Sequence, residues 1–264
     1  MVFVKKNKQA RIHSRHHKRV YEEHFEREKM CVRVARFQPE KQPAGFLQDF
    51  ELMIHSGQTV LDCLQEIKWK KDATLSFKRN CSNGVCGTCG IKVSGKAWLA
   101  CKVQALQAAR EGNGTMIIEP LSGVLVQRDL VVDEKPFWSQ VGSVMPWIVA
   151  RADEQKRNHK MNRRNWKSFK KSHECVMCMV CDSNAQTPYV PGHLGPGALV
   201  KAFRYEVDAR DGAKKERLER MVSMGLFNPE LDLEAANPCP RDILPGQKIR
   251  MLRRWARRKG IKKG

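Results

Sequence analysis

The sequence predicts an α+β fold in two parts. A β-rich N-terminal domain spans residues 30–135, and an all-α C-terminal domain spans 173–264. Apolar and polar residues alternate in the first part, and apolar residues recur at helical spacing in the second. Eight of the ten cysteines fall into one group in the first part and one in the second. A chain of 264 residues is long enough for two small cores. Residues 1–29 read as a basic extension, helical or poorly ordered, and 136–172 as a connector with a basic linker.

Cys31–Phe37 alternates apolar and polar side chains, which suits a strand. The turn-rich stretch from Pro39 to Gly45 precedes a returning strand at Phe46–Ile54. Val60, Leu61, Leu64 and Ile67 then fall on one helical face, with Thr59 as the cap. Ile91–Val93 and Met116–Ile118 supply two more short strands, and Pro120–Val132 reads as an irregular closing segment. Strand, strand, helix and cysteine loop follow one another in β-grasp order. Phe137–Ala150 is apolar and broken by Pro146. Helices are predicted over Gly197–Asp208, Glu216–Met224 and Lys248–Lys259.

The 49 basic and 28 acidic residues give a net charge of +21, concentrated at 156–171 and 248–264, neither of which holds an acid. Such blocks serve as solvated faces or meet anionic lipid, an acidic partner or nucleic acid. No apolar run reaches the roughly 18–20 residues needed to span a bilayer, so membrane association is expected to be peripheral or through a partner. The N-terminal stretch lacks the apolar region of a secretory signal, and Glu22, Glu23, Glu26 and Glu28 argue against a transit peptide. Ten cysteines without an export signal point to a reducing compartment and to metal rather than disulfides.

Cys81, Cys86, Cys89 and Cys101 read C-x4-C-x2-C-x11-C, opening like a plant-type [2Fe–2S] loop. Gly84, Gly87 and Gly90 let the backbone take positive φ and bring its N–H groups close to a cluster. Cys175, Cys178 and Cys181 form a C-x2-C-x2-C run, and Cys239, followed by Pro240, supplies a fourth thiolate. This is the bacterial [4Fe–4S] pattern. Structural zinc is the competing reading at both sites, although C-x4-C with a glycine-rich wrap is less zinc-like. Cys31 and Cys63 read as small buried hydrophobes. His13, His16 and His17 read as basic surface, and His193 lies near the second group.

These residues make the chain resemble the iron–sulfur subunits of succinate dehydrogenase and fumarate reductase (respiratory complex II) over about residues 30–258. The likeness rests on Leu75–Cys81, the first cysteine loop ending Leu99-Ala-Cys101, and Ile118–Leu121. It extends through Val126–Asp133, Gly195–Leu199 and Phe203–Asp211. The resemblance implies a ferredoxin-like fold for each domain. It also implies electron transfer between the FAD of a flavoprotein subunit and a quinone or other acceptor, through [2Fe–2S] and [4Fe–4S] clusters, with no catalytic residue of the chain's own. It implies a peripheral place on the inner (cytoplasmic or mitochondrial) membrane, facing cytoplasm or matrix and held by membrane-anchor or other respiratory subunits. Nucleic acid is not an expected partner.

The chain departs from the family pattern where a third cluster, [3Fe–4S], would be held. The three expected cysteine positions are Ala185, Pro229 and Ala235, so this cluster is expected to be absent. Where the family places a tryptophan and a histidine at the quinone, the chain has Val190 and Glu230. The alternatives are an iron–sulfur subunit of a soluble, non-quinone flavoprotein oxidoreductase, or a structural subunit of a larger respiratory assembly.

Overall fold

The computed structural model describes residues 27–150 and 160–261; the predicted extension therefore falls mostly outside the described residues. Strand β1 (Arg27–Gln38) begins before the alternation recognised from Cys31 and pairs antiparallel with β2 (Gln42–His55). Met30, Val32 and Val34 face inward, and the same alternation carries the Arg36 side chain into the core. Helix α1 (Val60–Lys70) starts at Thr59 as expected. The Thr59 Oγ1 accepts from the Asp62 N–H while the Asp62 carboxylate accepts from the Thr59 N–H, a reciprocal cap. Val60, Leu61, Cys63, Leu64 and Ile67 form its buried face.

Strands β3 (Gly90–Val93) and β4 (Lys96–Leu99) make a hairpin, joined by Ser94 and Gly95, both at positive φ. After α2 (Ala105–Glu111), β5 (Thr115–Glu119) enters the middle of the sheet, parallel to β1 and antiparallel to β3. The resulting strand order, β2-β1-β5-β3-β4, is a mixed five-stranded β-grasp sheet. The segment read as irregular, Pro120–Val132, instead contains a small antiparallel ribbon of β6 (Val126–Arg128) and β7 (Val131–Val132).

The second part is helical: α3 (Lys135–Ser143), α4 (Arg163–Ser172), α5 (Val180–Asn184), α6 (Pro196–Glu206), α7 (Lys214–Ser223) and α8 (Pro245–Arg258). The last three occupy the predicted helical segments with ends shifted by a few residues. The basic stretch read as a linker contains helix α4 over its described second half. Asn162 caps it by accepting from the Asn165 N–H, and Trp166 stacks on Phe169 one turn later. Phe203 of α6 stacks on Trp255 of α8 at 5.3 Å, inside a core separate from that under the sheet. Cys178 packs against both cores, so the two parts meet at the second cysteine loop.

Candidate metal centres

The approach to the first cysteine loop is fixed by one buried arginine. Arg36, with its side chain 1% exposed, donates to the Asp129 carboxylate at 3.0 Å and to that of Asp72 at 2.7 Å. A charge in a core survives only if it is paired, and Arg36 is paired twice. Asp129 also accepts from the backbone N–H groups of Phe37 and Ser76. Lys68 donates to the carbonyls of Ala73 and Leu75, and Arg79 lies over the Trp69 ring. Residues 72–80 thus run from α1 to Cys81 tied at several points.

At Cys81 the chain turns back on itself, with Ser82, Gly84 and Gly87 at positive φ. The N–H groups of Asn83, Val85 and Cys86 all point at the Cys81 sulfur, at 3.5, 3.3 and 3.2 Å. The donors from Asn83 and Cys86 favour the thiolate and hold this thiol down at about 6. Cys89 and Cys101 flank the β3–β4 hairpin, whose pairing of Gly90 with Leu99 brings their sulfurs to 3.4 Å. The x11 gap in the sequence is this hairpin. Burial pushes the Cys89 thiol up to about 12. A positively charged iron core would offset that desolvation, and the inward N–H groups suit thiolate ligands. The first loop therefore fits the [2Fe–2S] group its spacing suggests.

Cys175, Cys178, Cys181 and Cys239 line one apolar cavity, together with Phe137, Val200 and Pro240. Cys175 follows α4, Cys181 lies in the first turn of α5, and Cys239 lies before α8. The loop between them is wound through two left-handed residues, Met177 and Met179. Burial pushes Cys175 up to about 11, Cys178 up to about 12 and Cys181 well above the ordinary thiol value. Soft sulfur donors around a mostly apolar cavity fit an iron–sulfur group. Among the described residues, no three His, Cys, Asp or Glu side chains converge as tightly as a single ion requires. Asp182, buried beside Cys181, accepts from the Gly197 N–H at 3.0 Å, and its Oδ2 lies 3.2 Å from the Cys181 sulfur. Sequence reasoning passed over Asp182; its place directly after a ligand cysteine was the available signal.

The two loops touch. A Cβ on Gly87 would lie 2.4 Å from the Val176 carbonyl oxygen, and one on Gly90 would lie 2.8 Å from that of Cys178. Gly87 thus combines positive φ with close approach, whereas Gly90 serves close approach alone. At the third set of positions, Ala185 is buried at the end of α5, Pro229 is exposed and Ala235 is half-buried. None carries a side-chain donor atom. Val190 is 48% exposed, and Glu230 is engaged by His193 at 3.0 Å. His193 therefore faces a carboxylate on the surface; the nearest cysteine loop is not its partner here.

Residues 31–139 match the family model described as a 2Fe-2S iron-sulfur cluster binding domain. The fumarate reductase iron-sulfur subunit of Mycobacterium tuberculosis is 32% identical over 241 residues, covering 89% of this chain and 96% of that protein. The succinate dehydrogenase iron-sulfur subunit of Coxiella burnetii is 28% identical over 229 residues, covering 85% and 95%. In solved structures, the fold is matched by a chain of the Mycobacterium smegmatis Sdh1 complex in the apo form. That match has a TM-score of 0.76 at 20% identity and covers 89% of this chain and 98% of the other.

Proposed function

The chain belongs to the family of succinate dehydrogenase and fumarate reductase iron–sulfur subunits, and from that premise we propose which groups it carries and where electrons pass. It is an electron-transfer subunit of a complex II-type oxidoreductase. Cys81, Cys86, Cys89 and Cys101 would hold [2Fe–2S], and Cys175, Cys178, Cys181 and Cys239 would hold [4Fe–4S]. Bound clusters of these kinds supply one-electron carriers whose potentials follow from charge, hydrogen bonds to sulfur and exposure. The chain's own residues hold, orient and insulate these groups. The N–H groups around Cys81 stabilise thiolate charge, and the apolar cavity around Cys175 and Cys239 excludes water.

The observation that carries this reading is the contact of the two ligand loops at Gly87 and Val176. Electron tunnelling falls steeply with distance, and direct packing keeps the path between the sites short. The partners are an FAD-containing flavoprotein subunit on the [2Fe–2S] side and membrane-anchor or other respiratory subunits on the other. They would hold the chain peripherally on the inner membrane, facing cytoplasm or matrix. Among the described residues, no helix is long and apolar enough to cross a membrane.

Ala185, Pro229 and Ala235 provide no thiolate, so [3Fe–4S] is absent from this reading and electrons leave by a rearranged route. EPR of the native complex, with iron and sulfide counted per chain, tests it. Reduced-state signals from one [2Fe–2S] and one [4Fe–4S] are expected. An oxidised-state [3Fe–4S] signal from this subunit overturns the two-cluster assignment.

A further inference from the structure

Away from both cysteine loops, an open groove of about 520 Å³ lies between the first turn of α4 and the last turns of α8. Among the described residues, Arg164, Lys214, Arg254, Arg258 and Lys259 line it with a single carboxylate, Glu206, and of the five cations Lys214 is already engaged. Among the described residues, Arg164, Arg254 and Arg258 have no hydrogen-bond or ion-pair partner. Like charges are costly to gather unless something answers them. Glu206 is 3% exposed at its side chain, and its Oε1 has no hydrogen-bond donor, with Arg217 Nη1 3.5 Å away. A buried acceptor in that state is stabilised by an incoming hydroxyl or ammonium. The groove therefore asks for an anion that also carries a donor.

Beside the groove, α4 presents Trp166, 50% exposed and next in sequence to the groove-lining Asn165. A basic helix with a half-exposed tryptophan has the character of a membrane-interface element, where the indole sits at headgroup level.

We propose that the α4–α8 groove binds the headgroup of an anionic phospholipid. Its phosphate would lie among the arginines and lysines, and its hydroxyl would lie toward Glu206, turning this face to the membrane. The inference rests on the reading of the chain as a peripheral subunit of a membrane-associated complex, and it names the lipid contact that the reading leaves open.

The test is flotation of the full, cluster-loaded chain with vesicles of phosphatidylcholine alone or mixed with phosphatidylglycerol, at physiological ionic strength. Binding only to the phosphatidylglycerol vesicles is expected. A cation facing an anionic surface is worth about a five-fold change in binding, so R254Q together with R258Q should weaken it about twenty-five-fold. The exposed cations Lys41 and Arg128 on the sheet domain serve as controls, and K41Q with R128Q should leave binding unchanged. The proposal is overturned by equal binding to neutral vesicles, or by equal losses in the control variant. It is also overturned if Arg254 and Arg258 capture inorganic phosphate or an RNA oligonucleotide while the chain fails to float. The cluster signals are read on the same samples, so failure of lipid binding with both signals intact refutes the groove and spares the electron-transfer reading.

Discussion

The α-carbon of Gly87 faces the carbonyl oxygen of Val176 so closely that a Cβ there would lie 2.4 Å away. This contact joins one residue of the first cysteine loop to one of the second, and in the proposed relay it keeps the path between the two sites short. Gly87→Ala adds a backbone penalty of about 1–2 kcal/mol for a left-handed residue, and the clash with a main-chain oxygen comes on top. Gly57 has a similar positive φ but nothing within 4 Å of its would-be Cβ, so Gly57→Ala bears the backbone penalty alone. Comparing their urea midpoints isolates the clash. Slower intramolecular electron transfer is expected in Gly87→Ala only; equal rates in the two variants would deny the contact its role.

Cysteine substitution separates ligands from packing residues. Cys63 is fully buried on α1, and burial pushes its thiol up to about 12, so it is neutral and inert. Cys63→Ala should keep both cluster signals and cost about 1 kcal/mol, as for a small core truncation. Cys181→Ser should abolish the [4Fe–4S] signal and leave that of [2Fe–2S]. Retention of both signals in Cys181→Ser would remove that residue from the ligand set.

Much of this was legible in the sequence, because cysteine spacing and alternation are local properties. Thr59 announced α1, and Val32 and Val34 announced β1. The hairpin in the x11 gap was not recognised, since Lys96–Leu99 is too short to display alternation, although Ser94-Gly95 was a usable turn signal. Charge hid α4: Trp166 and Phe169 sit at helical spacing, but the surrounding lysines and arginines read as a linker. The Arg36–Asp129 pair and the Gly87–Val176 contact join residues far apart in the chain, and a single sequence carries no pairing information for them.

Asp129 tests how far the first loop depends on its buried anchor. Asp129→Ala removes the partner of Arg36 and the acceptor for the Phe37 and Ser76 N–H groups. Breaking a buried pair from one side costs about 3–5 kcal/mol, and Asp72 remains to hold part of the charge. The expected result is a lower unfolding midpoint with faster oxidative bleaching of the [2Fe–2S] absorbance. An unchanged bleaching rate would separate the anchor from the loop.

Glu206 gives the chain a pH-dependent term of opposite sign to that of an ordinary paired carboxylate. Burial pushes its carboxyl up to about 7, against the pull of Arg217, Lys259 and Lys214, with Asp211 adding to the rise. Between the ordinary value of 4.5 and about 7, the folded chain binds more protons here than the unfolded chain. Stability from this group is therefore full below that window and declines as pH rises through it. The total is about 3 kcal/mol for a shift of that size. Glu206→Gln should match the parent near pH 4, where both are neutral, and exceed its stability by about 1–3 kcal/mol at pH 8. Urea titrations of both proteins across this range read the difference directly. Parallel curves would mean that Arg217 keeps Glu206 ionised throughout.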